Sequence, residues 1–599
     1  MAGEELKNIY AGLASKHRSE LAALRKKQFV ISILRLVTFL AGGILSAMAF
    51  TWSVPAGITL ILMTMILFLF LVGRFAAYSE NIKMAGNLLD INVNEIKAQE
   101  GDYSAFNDGS DLGVAEHDFS GDIDLFGEGS VFGFLNRTVT GPGRQHLAGV
   151  LLDPYKLHDR ITSRQEAVIE LSGKLLWRQK FAACGLEANL GEAELRSLNE
   201  WLNDKEELFS SQILRVVLFL FPIAAIAALV CAVAGILPVR VFVVFFMLNL
   251  FLDGIFLKRI NRIHQLVSNR HMFLSALEKL IETVGGESFD SQLLSGIKDK
   301  LCTDDGAVAR KIKKLGAILK AFDTRLNMIM GVVLNGLVLW DFHCVLRLGE
   351  WRTSAAPELP GWLELLGDID ELCSFANFAF NNPDYSFPVP VSEGPVLEAS
   401  ALGHPLLPAA TRVCNDFSIE PGGQVCIITG ANMSGKSTFL RTIAVNLLLA
   451  MAGAPVCARS MRFRAVRLFT SMRTTDSLSR NESYFYAELK RLRILKEKLE
   501  KGEEVFFILD EILKGTNSAD KSAGSLIYLR RMVELGGTGL IATHDTSLGD
   551  MESGFPGKVI NKCFEIEIDG EKISFDYLLR NGITRKMNAS LLMRQMGIA

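Results

Sequence analysis

The segment Gly430-Ala431-Asn432-Met433-Ser434-Gly435-Lys436-Ser437-Thr438 sets two glycines ahead of a lysine and two hydroxyls. That spacing is the phosphate-loop pattern G-x-x-x-x-G-K-[ST]. The glycines let the backbone turn tightly, so that successive N–H groups and a helix N-terminus face anionic oxygens. All nine residues are expected to line the phosphates of ATP. Lys436 is placed to reach the β and γ phosphates, and Ser437 to put its hydroxyl on Mg²⁺. The motif needs a strand before it and a helix after it. Gln424 to Thr429 reads as a buried strand and Phe439 to Met451 as an apolar helix, which supplies both.

Two further strands end on groups that complete such a site. Val505-Phe506-Phe507-Ile508-Leu509 is an apolar run closed by Asp510-Glu511, the Walker B arrangement. Asp510 is expected to hold the Mg²⁺ shell, and Glu511 to orient and deprotonate the attacking water. The run Gly539-Leu540-Ile541-Ala542-Thr543 ends at His544-Asp545, where His544 is placed to sense the γ-phosphate, as switch histidines do in ATPases of the ABC type.

These residues carry a family resemblance. Ile428 through Arg441, Asp510-Glu-Ile-Leu-Lys-Gly-Thr-Asn517 and Ala542-Thr-His-Asp545 resemble the ATPase domain of the MutS family, and Asn432-Met433 inside the loop is typical of it. Thr475 to Phe485 with Glu488 is similar to the MutS signature helix start. The resemblance implies that Ser483 contacts the γ-phosphate of a partner subunit's ATP, so that the site is completed in a homodimer; a Ser there is also an ordinary N-cap. His404-Pro405 resembles the opening of the MutS ATPase region, and Phe575 to Gly582 with Asn588 to Ile598 its C-terminal strand and dimerisation helices. Leu125-Phe126, Leu135 to Thr140, Gly143-Arg144 and Ile161 to Leu171, including Arg164-Gln165-Glu166-Ala167-Val168, resemble the start of the MutS core, or lever, domain.

The elements that must position this site are unusual for that family. From Leu36 to Gly73 no Lys, Arg, Asp or Glu occurs, and the stretch is broken at Trp52-Ser53-Val54-Pro55. Two helices of about 18 to 20 residues, near the minimum for a bilayer core, fit there. Arg25, Lys26, Lys27 and Arg35 precede the stretch and Arg74 and Lys83 follow it, which puts both ends on the cytoplasmic side. A second apolar hairpin is expected from Val216 to Leu257, with Gly235 to Pro238 at its turn, Arg240 just after it, and a short return helix carrying Asp253. An acid inside such a span faces a partner helix or sits near the interface. No signal-peptide pattern fits these runs. Nothing before the lever resembles a mismatch-reading domain: Phe126-Gly127-Glu128 falls inside the lever match and reads as a packing position. Little length remains for a DNA clamp.

With 599 residues, 49% apolar and 22% charged, the chain is too long for one core and too apolar for a disordered one. Its mean hydropathy of +0.26 reflects the two hairpin regions. Lys and Arg number 63 against 66 acids, so no strongly basic nucleic-acid signature exists overall. Locally, Arg459, Arg462, Arg464, Arg467 and Arg473 crowd one stretch without an acid, and residues 401–599 hold 26 bases against 21 acids. The plainer reading is a solvated face of the ATPase fold. The nine cysteines form no C-x-x-C pair and read as reduced thiols.

The expected architecture is an α/β P-loop ATPase domain of the ABC superclass and MutS type, after a mostly α-helical lever domain with two transmembrane helical hairpins. The divisions are an amphipathic segment at 1–28, hairpin one at 29–78, the start of the lever at 79–212, hairpin two at 213–260, helical lever at 261–400 and ATPase domain at 401–599. ATP and Mg²⁺ are the expected cofactors. Expected partners are a second copy, the lipid bilayer, double-stranded or branched DNA by resemblance, and an unknown protein. A membrane ATPase acting without DNA is the alternative. An ABC transporter fits less well, because Leu478-Ser479-Arg480-Asn481 stands where its Leu-Ser-Gly-Gly signature would be. The localisation expected is integral membrane, with the ATPase domain in the cytoplasm.

Overall fold

Ser53 is the one residue between two very long helices, α1 (Ala2–Trp52) and α2 (Val54–Gln99). Its extended backbone ends the first helix, and its hydroxyl accepts the Ala56 N–H at 3.3 Å to start the second. Pro55 falls in the first turn, where a missing N–H costs nothing. The returning helix packs closely because glycines open the way: a Cβ on Gly42 would lie 2.1 Å from Thr64, and one on Gly57 would strike the Phe50 ring at 2.6 Å. This computed structural model describes residues 2–114, 116–188, 200, 212–267, 271–302, 307–473, 484–569 and 572–584.

The apolar parts of α1 and α2 turn large side chains outward, among them Phe39 at 64% exposure and Ile66 at 69%. Both helices are much longer than spans of about 20 residues, because each continues into a polar half anchored in the helical body. Tyr10 is buried and donates to Asn381 Oδ1 at 2.7 Å. Asn92 and Gln179 exchange side-chain hydrogen bonds, and buried Glu95 accepts from Arg137, Asn377 and Asn381. The amphipathic segment at the N-terminal end of α1 belongs to the same helix as the apolar run that follows it.

The helical body contains α3 (Gly141–Leu152) and α4 (Ile161–Gly173), and its second apolar region is α5 (Gln212–Val233) and α6 (Val239–Val267). The return helix α6 is not short: the helix continues without a break past its apolar part, through Lys258 to Val267, and it is the outgoing helix whose described apolar part, Leu218–Val233, is the shorter. Among the described residues, α1, α2 and α6 are long and apolar enough to cross a membrane. A further apolar helix, α7 (Met328–Val338), packs on α5 and α6 and is bent by 80° from α8 (Trp340–Ala355). The sequence reading placed this stretch in the lever.

At the centre lies α9 (Leu359–Asn381), buried along most of its length. Its Asp370 accepts the N–H groups of Val139 and Thr140 and the Thr140 hydroxyl, fixing the entry of α3. Burial nevertheless pushes this carboxyl up to about 7. Gly143 and Gly367 let the two helices approach, since a Cβ on Gly143 would sit 2.3 Å from Asp370.

The C-terminal part has two sheets. The smaller joins β1 (Leu397–Leu402), β2 (Asn415–Ile419) and, farther along the chain, β4 (Ser460–Phe463) with the short strand Val389–Pro390. The larger takes β3 (Val425–Gly430), β5 (Arg467–Ser471), β6 (Val505–Asp510), β7 (Thr538–Thr543), β8 (Val559–Phe564) and β9 (Leu579–Asn581) in the order β9-β8-β3-β7-β6-β5. Every pairing in it is parallel except β9 with β8. The fully apolar runs read from the sequence are therefore strands buried on both faces, covered by α10 (Lys436–Ala452), α11 (Tyr484–Glu500) and α12 (Ser518–Glu534). Adjacent strands β3, β7 and β6 bring the ends of three separate sequence segments to one edge, the usual place for a ligand in a parallel sheet.

Candidate active site

β3 ends at Gly430 and α10 begins at Lys436, with Gly435 as its N-cap in the left-handed region at φ 100°. Glycine is required at both ends of the turn. A Cβ on Gly430 would meet Ser434 Oγ at 2.7 Å, and one on Gly435 would meet Tyr577 at 2.9 Å. Lys436 is buried and donates to the carbonyl oxygens of Gly430 and Ala431, each at 2.9 Å. That burial pulls the ammonium down to about 8, against the opposing influence of Glu511 and Asp510. Ser437 donates to Asp510 Oδ2 at 2.5 Å. Asn432 and Met433 point to solvent, Met433 at φ 65°.

Glu511 follows Asp510 in a left-handed conformation, φ 53°, and its N–H donates to the Ala542 carbonyl of β7. The strained turn aims the carboxylate back at the loop. His544 Nε2 lies 2.5 Å from Glu511 Oε1, and His544 Nδ1 lies 2.7 Å from the Gly430 carbonyl oxygen. This contact holds the Glu511 carboxyl down at about 2. Lys436, Ser437, Asp510, Glu511 and His544 thus converge from three strand ends. Ser483 lies outside the described residues, as does the C-terminal segment expected to dimerise.

A cavity of about 390 Å³ opens over the loop. Its walls include Asn432 to Thr438, Glu511 and His544 on one side and His404, Leu407, Val413 and Tyr577 on the other. Burial and nearby arginines hold His404 down at about 4, so this ring is neutral at ordinary pH. The wall residues come from segments flanking the motifs at long range. His404 and the Phe575 to Gly582 stretch carried a resemblance, but nothing in their spacing marked Leu407 or Val413.

The residues fit a magnesium nucleotide by an observation independent of motif. Ser434 Oγ is buried in the loop without a hydrogen-bond partner, and the buried Lys436 ammonium donates to two backbone carbonyls with no carboxylate of the described residues in direct contact. Both are donors waiting for anionic oxygen. Behind the site, buried Glu488 of α11 accepts the N–H groups of Leu513 and Lys514 at 2.6 and 3.1 Å, pinning the backbone just after Asp510-Glu511.

The site is tied to the helical body through two polar contacts. Asp122 accepts from Thr470 Oγ1 and the Arg473 N–H, while Arg441 of α10 donates to the Asp122 carbonyl. Arg164 of α4 forms a buried pair with Glu371 of α9 and donates from Nε to the Ala452 carbonyl at 2.8 Å, capping the C-terminus of α10. The arginine-rich stretch is largely engaged in the fold: Arg462, Arg464, Arg467 and Arg473 face Glu398, Glu504, Glu503 and Asp124.

Fold and site define an α/β domain with a glycine-bounded turn between strand and helix, built on a helical body. The description MutS domain V matches residues 426–593. The chain is 27% identical over 518 residues to the DNA mismatch repair protein MutS of Myxococcus xanthus, covering 75% of this chain and 54% of that one. It is 29% identical over 224 residues to the DNA mismatch repair protein MutS of Thermotoga maritima, covering 37% of this chain and 28% of that one. It is 26% identical over 258 residues to human MutS protein homolog 4, covering 42% of this chain and 25% of that one. The chain belongs to the MutS family. It spans 28% and 54% of the length of the Thermotoga and Myxococcus relatives.

Proposed function

We propose that this chain is a membrane-anchored P-loop ATPase of the MutS type that hydrolyses ATP in a homodimer and passes the resulting motion to its apolar helices. The observation that carries the reading is the convergence of Lys436, Ser437, Glu511 and His544 on one cavity, with Asp510 hydrogen-bonded to Ser437. The loop N–H groups and Lys436 bind the phosphates, and Ser437 with Asp510 holds Mg²⁺. When bound, the magnesium ion supplies charge neutralisation on the phosphates. Glu511 accepts a proton from the attacking water, and His544 positions Glu511 against the loop. For Glu511 to act, its contact with His544 must loosen, because an oxygen engaged at 2.5 Å is a poor proton acceptor. Ser483 of a second copy completes the site.

Membrane anchoring is supported by the run of outward apolar side chains on α1, α2 and α6. Such a surface in water would expose far more contiguous apolar area than soluble monomers tolerate. The ATPase domain then lies on the cytoplasmic side, where the flanking Arg25, Lys26 and Lys27 also fall.

Mismatched or branched DNA is the partner that the relatives' names bring. A second reading, a membrane ATPase acting on a lipid or protein partner, is favoured by the engagement of the arginine stretch with acids of the fold. Binding of the full chain in nanodiscs to homoduplex, mismatched and branched DNA across a salt series separates the two. The DNA reading expects affinity that falls steeply with salt and ranks the branched or mismatched forms first. Absence of binding to all three at low salt rejects it in favour of the second.

A further inference from the structure

Asp253 lies one turn beyond Asn249 on α6, facing the break between α7 and α8. The break falls on Leu339, which takes φ 50°, a left-handed conformation costly for a leucine. Polar side chains replace the interrupted helical ladder there. Asn335 Oδ1 accepts the Asp341 N–H at 2.9 Å, and Asn249 Nδ2 donates to the Gly336 carbonyl at 2.9 Å. Gly336 cannot be exchanged, since a Cβ would enter the Phe246 ring at 2.2 Å.

The charges at this break do not balance. Arg325 Nε lies 2.9 Å from Asp341 Oδ2, and both side chains are buried. Asp253 interacts electrostatically with the same two groups, so two carboxylates share one guanidinium. The neighbouring His264, within electrostatic reach of Asp341, makes its direct contact with Asp323 at 2.9 Å, and the Cys344 thiol also lies within electrostatic reach of Asp341. Three buried oxygens are left without a hydrogen-bond partner: Asn249 Oδ1, Asp253 Oδ1 and Asp341 Oδ1. Asn249 is 0% and Asp341 1% exposed, so water does not reach them from outside. A buried carboxylate lacking a counter-charge, beside unpartnered acceptors, is a costly arrangement that one positive charge would relieve.

We propose that the α6–α7–α8 junction binds one univalent cation, a proton or a sodium ion, shared by Asp253 and Asp341 with the Asn249 amide oxygen beside them. Proton and sodium have the same chemistry here: each supplies the single missing positive charge to acceptor oxygens. A divalent ion would overshoot it. The site goes beyond the ATPase reading and does not depend on it. Its residues come from α8 and from α6, the helix on which both arms of the bend pack, and Asn249 also holds the Gly336 carbonyl of α7, so occupancy fixes the bend.

The test uses the full chain in detergent, with sodium replaced by choline, and follows radioactive sodium binding together with the infrared band of protonated carboxyl groups. A sodium site gives saturable binding approaching about one ion per chain, weakened by about tenfold or more in Asp253→Asn. A proton site gives no sodium binding but a protonated-carboxyl band at neutral pH that Asp253→Asn removes. Both outcomes support the proposal. It is overturned if wild-type protein shows neither sodium binding nor such a band, or if whichever signal it shows persists unchanged in Asp253→Asn. Should that variant fail to fold, Asp341→Asn, which removes the other carboxylate of the pair, is read in the same way. Asp253→Asn also removes the unbalanced charge, so its thermal stability should no longer respond to exchanging sodium for choline or to pH in the range where wild type does.

Discussion

Replacing Glu511 with Gln is expected to lower the rate of ATP hydrolysis by about 10² to 10⁴ while leaving ATP binding intact, because the change removes a proton acceptor but keeps the side-chain shape. Glu511 is held beside the loop by its contact with His544, and its backbone N–H is fixed to β7. Lys436, Ser437 and Asp510 do not depend on it for their contacts. ATP-bound protein should therefore accumulate, and with it the dimer. A stability signature accompanies the kinetic one. His544 holds the folded Glu511 carboxyl down at about 2, below its ordinary value. A depressed folded value means the contact stabilises fully above the unfolded carboxylate range, near pH 4.5, and is lost as pH falls through about 2. Glu511→Gln should lack that acid dependence. Steady-state hydrolysis equal to wild type would remove Glu511 from the mechanism.

Replacing Arg164 with Ala is expected to cost about 3 to 5 kcal/mol of stability, the penalty for leaving a buried carboxylate without its partner. Glu371 is fully enclosed in α9 and has Arg164 as its counter-charge, while the Arg164 Nε caps the last turn of α10. The close approach is built into the backbone, since a Cβ on Gly453 would lie 2.8 Å from Arg164 Cβ. Replacing both Arg164 and Glu371 with apolar residues of similar size should recover most of the loss, because no buried charge is then stranded. The double variant also removes the one side chain that joins α4, α9 and the far end of the helix carrying Lys436. ATP hydrolysis should survive in it, and any effect of nucleotide on the helical body should weaken. Denaturant unfolding of the single variant within about 0.5 kcal/mol of wild type would contradict this role.

Contiguity decided what could be read from the sequence. The loop from Gly430 to Thr438, the end of β6 and the end of β7 are each a short run in which strand, turn and chemical group are neighbours along the chain. Each motif therefore announces its own backbone context. The network of Asp118, Asp122 and Asp124 with Thr470, Arg473, Arg491 and Lys498 was not legible, because its members are separated by several hundred residues and look like ordinary loop acids and helix-surface bases. Arg164 lay within a recognised lever motif, yet its partners Glu371 and Ala452 could be found only by folding.

The break at Leu339 was hidden for a different reason. Met328 to Val338 is too short for a span, and neither Gly nor Pro stands at the bend, so the stretch reads as part of a continuous lever helix. The left-handed leucine is held there by packing and by Asn335, which no local pattern records. Similarly, α1 and α2 run far beyond their apolar cores because their polar halves are held by Tyr10, Asn92 and Glu95 against distant helices.

The cavity above Gly430 to Thr438 is proposed to hydrolyse ATP once a second copy of the chain completes it. Magnesium-dependent ATP turnover by the full chain in detergent, measured as specific activity against protein concentration, tests it most directly. Turnover is expected to disappear with chelation of magnesium and to rise with protein concentration until dimerisation saturates. Absence of turnover at any concentration, or specific activity independent of concentration in protein that remains monomeric, would contradict it.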